Sequence, residues 1–98
     1  MAISLTLELA DNRTTSAVVQ ALSLYRSQLQ LSIRRSRRKL TLFEKQYGVS
    51  TEIFLAEMAA EDLLGGDMDY IEWAGEARLL DGLESEIEEI ERVQRQLH

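Results

Sequence analysis

The 98-residue chain contains no cysteine, no proline and a single histidine. Without cysteine there are no disulfides, no thiolate metal sites and no cysteine nucleophile. That fits a reducing cytoplasm, where the chain is expected to reside. Without proline, nothing forces a break in a helix, so long uninterrupted helices are favoured. The histidine, His98, is the last residue, a position expected to fray rather than to act as base or ligand. No apolar run approaches the roughly 18 residues that a membrane span needs. Residues 1–10 lack a basic segment and carry Glu8 inside their apolar run, so they are not read as a secretory signal. No serine sits in a nucleophile elbow, no glycine-rich loop follows a strand, and no loop has calcium-ligand spacing. The expectation is a non-enzymatic protein with no cofactor and no metal site.

Hydrophobic residues make up 45% of the chain and charged residues 29%, which is the balance of a folded domain. Its length predicts one domain over 1–98, with 1–12 as a strand or extended arm. The net charge of −6 hides a division. Residues 1–49 hold eight basic side chains and three acidic ones, +5; residues 50–98 hold three basic and fourteen acidic, −11. The two halves can attract each other within one chain or between copies.

Near the start, Ile3, Leu5, Leu7 and Leu9 alternate with polar or small residues, a period of two that predicts a half-buried strand. Asp11-Asn12 reads as a turn. Thr14 or Thr15 then caps a helix beginning near Ser16. Its stripe runs through Val18, Leu22, Tyr25, Leu29, Ser32, Ser36, Leu40, Phe43 and Tyr47 and stops at Gly48. Ser32 and Ser36 are small enough to admit a close neighbour, and they are also where the helix could weaken. Ser50 caps a second helix, 51–64, with Ile53, Phe54, Met58 and Leu63-Leu64 facing inward. Gly65-Gly66 ends it, and Asp67 caps a third helix running almost to the terminus.

That third helix carries the clearest pattern. Trp73, Leu80 and Ile87 are seven apart, as are Leu83, Ile90 and Leu97, offset by three. The result is an apolar seam of period 3.5, with Leu79 and Val93 widening it. Gly75 and Gly82 share a line beside the seam. Each costs about 1 kcal/mol against alanine in a helix interior, so either the helix breaks near Gly82 or a neighbour packs on the glycines. The predicted fold is all-α: a helical hairpin or three-helix arrangement with a long, coiled-coil-like C-terminal helix. So elongated a body has limited core of its own, which makes a homodimer the default expectation.

The sharpest charge feature is Arg34, Arg35, Arg37, Arg38 and Lys39, five basic residues in six positions. They spread around most of a helix circumference. One reading is a phosphate-binding patch for nucleic acid. The other is a belt that pairs with Glu84, Glu86, Glu88, Glu89 and Glu91 across an antiparallel hairpin. No aromatic residues interleave with the arginines, which disfavours stacking on single-stranded RNA. Phe43, Tyr47, Phe54, Tyr70 and Trp73 gather around the central turns and read most simply as the core that fastens the helices.

The segment Phe43-Glu44-Lys45-Gln46-Tyr47-Gly48-Val49-Ser50, then Phe54, then Gly65-Gly66-Asp67-Met68-Asp69-Tyr70-Ile71-Glu72-Trp73, resembles a group of small prokaryotic helical proteins common in cyanobacteria and archaea. They carry an F-x-x-K-Y-G-[MV]-S/D segment, an acidic helix and a D-x-E-W-like segment; here Gln46 stands as an extra residue between lysine and tyrosine. The resemblance covers about residues 34–85. Members are similar to the antitoxin partner of type II toxin–antitoxin pairs. The resemblance implies a protein-binding module that engages a co-encoded, toxin-like partner through its amphipathic acidic helix, with no catalytic residue to carry over. A nucleic-acid-binding regulator using 34–39 and a purely structural homo-oligomer are the alternatives.

Overall fold

The computed structural model describes residues 12–58 and 68–97, and 96% of the described residues are helical. Helix α1 spans Asn12–Tyr47. Helix α2 spans Thr51–Ile53 and continues directly into a π-type turn, Phe54–Met58. Helix α3 spans Met68–Leu97. The architecture is therefore all-α, and no strand occurs among the described residues. The expected strand, the far end of the second helix, the Gly65-Gly66 turn, the Asp67 cap and His98 lie outside them. Asn12 does not sit in a turn but opens α1, so Thr14 and Thr15 are helical residues and not caps.

Local chemistry explains the elements. Gly48 takes φ +72°, the left-handed conformation that ends a helix without the Cβ clash of other residues, and its N–H donates to the Glu44 carbonyl at 2.8 Å. Ser50 is the α2 cap, its Oγ accepting from the Ile53 N–H at 3.2 Å. The Glu44 carboxylate accepts from the Thr51 N–H at 2.7 Å, satisfying a further free amide there. Neither Ser32 nor Ser36 interrupts α1, and Gly82 does not break α3.

α1 and α3 form an antiparallel hairpin, 56 Å in its longest dimension and 24 × 18 Å across. As numbers rise along α1 they fall along α3: Ser23 meets Gln94, Arg26 meets Glu91, Ser36 meets Glu76, and Tyr47 meets Asp69. The line of α1 turned toward α3 passes through Leu22, Arg26, Leu29, Ile33, Ser36, Leu40, Phe43 and Tyr47. Their spacing alternates four and three, a period of 3.5 that keeps a stripe facing a supercoiled partner. The expected stripe is corrected at two points. Tyr25 is exposed and Arg26 takes the place beside it, while Ile33, at 8% exposure, carries the burial next to half-buried Ser32.

On α3 all six seam residues turn inward: Trp73 is fully buried and Leu80, Leu83, Ile87, Ile90 and Leu97 are half-buried. Val93 widens the seam as expected. Leu79 does not, since 53% of it is exposed. The core lies at the turn end, where Leu40, Phe54, Trp73 and Ala74 are buried under Phe43, Tyr47, Val49 and Tyr70. Phe54 lies flat on Trp73, ring centres 3.9 Å apart and 2° from parallel; Phe43 and Tyr47 also stack on it, and Tyr70 meets it edge-on. Such rings combine large apolar burial with favourable quadrupole geometry. The buried indole N–H donates to Thr51 Oγ1 at 3.0 Å, so Trp73 ties α2 to the hairpin.

Candidate functional site

Part of the charge of the hairpin is committed between its own helices. α1 holds eight basic residues against Glu44, +7, and α3 holds nine acidic residues against three arginines, −6. Arg37 lies 3.2 Å from Glu84, Lys39 3.6 Å from Glu76, and Arg26 4.0 Å from Glu91. Glu76, with 12% of its side chain exposed, also accepts the Ser36 hydroxyl at 2.6 Å, which satisfies the most buried polar side chain in α1. Tyr25 donates to Glu86, and that hydrogen bond, more than burial or the carboxylate charge, holds its phenol above the usual value of 10.0. Glu89 pairs with Arg92 one turn along α3.

The basic run divides. Arg37 and Lys39 turn to α3, whereas Arg34, Arg35 and Arg38 are exposed and make no ion pair among the described residues. Arg34 and Arg38 share a face with exposed Lys45, at helical spacing, on the back of α1. Arg35 turns instead toward the cleft beside Lys39. The acids of α3 divide likewise. Glu72, Asp81 and Glu88 face solvent without an ion pair, and no three acidic or histidine side chains among the described residues converge on a point that could hold a metal ion.

Along one side of the hairpin runs a shallow trough. Its α1 wall includes Ser32, Arg35, Lys39, Leu42 and Gln46; its α3 wall includes Glu72, Gly75, Glu76, Arg78, Leu79, Gly82 and Glu86. Leu79 stands at its centre, and Phe43 lies on the floor. Leu42 and Leu79, 66% and 53% exposed, put oily surface on both of its walls, and Leu24, Leu31 and Met68 are exposed to a similar degree elsewhere on the helices. A Cβ added at Gly75 or Gly82 would meet nothing within 4 Å. Among the described residues, then, the glycines do not serve contact between α1 and α3. The opposite side is different in kind: α2 leans over it, and the hollow there is lined by Glu44, Thr51, Glu52, Ala74, Asp81 and Glu84 among others.

The six seam residues of α3 lie on the side turned to α1, but two features of the site escaped periodicity. Leu79 belongs to a second stripe on α3, Glu72, Gly75, Leu79, Gly82 and Glu86, whose 3.5 period is interrupted by glycine and carboxylate, and Leu42 lines the same trough from α1. Gln94, 7% exposed, donates to Ser23 at 3.0 Å; it lies seven residues beyond Ile87 in the series 73, 80, 87, and that spacing alone could have located it. No helix among the described residues is long and apolar enough to cross a membrane. No family model, curated protein or solved structure matches the chain.

Proposed function

We propose that this chain is a protein–protein interaction module of the antitoxin-like kind, a helical hairpin whose free binding capacity lies in the trough between α1 and α3. The observation that carries the reading is the pairing of two exposed leucines, Leu42 and Leu79, with two helix-interior glycines that have open space before them. An apolar patch flanked by charge is what a helix-in-groove contact uses, and small residues let the incoming backbone come near. The acidic helix does not act as a free amphipathic ligand, because its seam from Trp73 to Leu97 is spent on α1. A partner, whether co-encoded and toxin-like or another chain, therefore meets both walls together. Leu79→Glu puts a charge at the centre of that contact. It is expected to abolish association while helix content and urea midpoint stay unchanged, whereas Glu88→Ala on the outer side of α3 changes nothing. Association unaffected by Leu79→Glu in every complex the chain forms would remove this reading.

A second reading keeps one specific support: Arg34, Arg38 and Lys45 on the back of α1 have no acidic partner among the described residues. Such a strip suits a phosphate backbone. It predicts binding to duplex DNA or RNA that weakens steeply between 50 and 200 mM salt, as about one counterion per phosphate contact is released. The Arg34→Gln/Arg38→Gln variant should lose it, and no binding at low salt would exclude it.

A further inference from the structure

Resting on the reading of the trough as a binding face, we infer that its occupant is a second copy of this chain, docked with its own trough face-on and running parallel, to give a four-helix bundle. Charge selects the partner. The α1 wall is basic, with Arg35 and Lys39, and the α3 wall is acidic on balance, with Glu72, Glu76 and Glu86 against Arg78. A surface divided lengthwise into a positive and a negative strip is complementary to itself under one two-fold axis, the axis along the hairpin. That rotation sets α1 of each copy beside α3 of the other, Arg35 and Lys39 facing the carboxylates of the α3 wall. The alternative two-fold, across the hairpin, sets α1 on α1 and α3 on α3, like charge on like.

The geometry agrees. Within each hairpin α1 and α3 are antiparallel, so the lengthwise axis makes every adjacent helix pair in the bundle antiparallel, the arrangement of up-down four-helix bundles. Leu42 and Leu79 then come onto the axis from both copies, where burial removes the oily surface the monomer leaves in water. Gly75 and Gly82 of one copy lie under α1 of the other, and their missing side chains allow that helix to approach closely.

The absence of cysteine makes the test direct. Purified chain at tens of micromolar should sediment at twice its 11.2 kDa. Under mild oxidation, Leu42→Cys alone and Leu79→Cys alone should each form a disulfide-linked dimer, because a lengthwise axis brings every central position beside its own copy. Glu88→Cys should not. The variants Arg35→Glu/Lys39→Glu and Glu72→Lys/Glu86→Lys should each dimerise at least tenfold more weakly, and an equimolar mixture should recover pairing as a heterodimer. Strictly monomeric chain at 100 µM overturns the inference, as does cross-linking that appears only when the Leu42→Cys and Leu79→Cys variants are mixed. If the chain is monomeric yet Leu79→Glu still abolishes its complex with a different protein, the proposed function stands and this inference alone falls.

Discussion

Where the hairpin turns, Trp73 and Phe54 are fully buried and three further rings close over them. Toward its open end, beyond buried Leu29, the same two helices meet through Ser23, Arg26, Glu91 and Gln94, and the side chain buried there is an amide. Gln94 is held at 3.0 Å by Ser23, and Arg26 Nε is buried without a hydrogen-bond partner among the described residues. Both ends keep the 3.5-residue register, so the difference lies in what fills it. Aromatic burial is worth several kcal/mol per residue, whereas a hydrogen bond exchanged with water nets about 1 kcal/mol. The turn end therefore anchors the fold and the open end follows it.

The largest effect should come from the anchor. Trp73→Ala removes the ring on which Phe43, Tyr47, Phe54 and Tyr70 pack, and also the donor to Thr51. A loss of about 3–5 kcal/mol is expected, enough to unfold so small a chain, read from the urea midpoint and near-UV circular dichroism. A loss below about 1 kcal/mol would mean that the two ends hold the fold equally. The converse experiment makes the open end apolar. Gln94→Leu continues the series Trp73, Leu80, Ile87 with a hydrocarbon, and the hydroxyl it abandons on Ser23 is exposed and can turn to water. A gain of about 1 kcal/mol should result, with slower amide exchange over residues 18–26 and 90–97 and no change near Trp73. Faster exchange there would show that the polar pair, not the missing apolar contact, sets the open end's stability.

The same contrast explains what the sequence made legible. Large apolar side chains announce their face, so the α3 seam, the aromatic cluster, the Gly48 stop and the Ser50 cap could all be read from spacing and residue type. The open end was legible only in part, because two of its seam positions are occupied by Arg26 and Gln94. A long basic side chain buries its stem while its head reaches water, so type alone misassigns it to the surface. Tyr25 drew the stripe one position off for the complementary reason: an aromatic ring counts as core by composition, yet here its hydroxyl reaches Glu86 on an exposed flank. Which arginines of the 34–39 run are paired depends on where α3 lies around α1, which no pattern within α1 contains.

Between the two ends lies Gly82, in open space and in an unbroken helix. Gly82→Ala should stabilise the chain by about 0.5–1 kcal/mol, since the alanine costs less backbone entropy and its Cβ meets no neighbour. Measured at a concentration too low for association, the gain should appear uniformly as a higher urea midpoint. Destabilisation under those conditions would show that something already fills that part of the trough.

The smallest effect sharpens the comparison by pH. Tyr25 donates to Glu86, which favours its neutral form and raises its pKa above 10.0, first through that hydrogen bond and then through burial and the carboxylate charge. The folded pKa exceeds the unfolded one, so this contribution to stability is complete below about pH 10 and is lost as pH rises through the higher folded value. The phenol is exposed, so the loss is slight and confined to the open half of the hairpin. Subtracting the alkaline absorbance titration of Tyr25→Phe from that of the parent chain isolates this one phenol from the others. Its midpoint should lie above 10.0, and Glu86→Gln, which removes the charge and weakens the acceptor, should bring it down. A midpoint at or below 10.0 would mean that Tyr25 does not bridge the helices in solution. The polar contacts across the open half would then be the Gln94–Ser23 hydrogen bond and the Arg26–Glu91 pair among the described residues, and its exchange rates should be faster still.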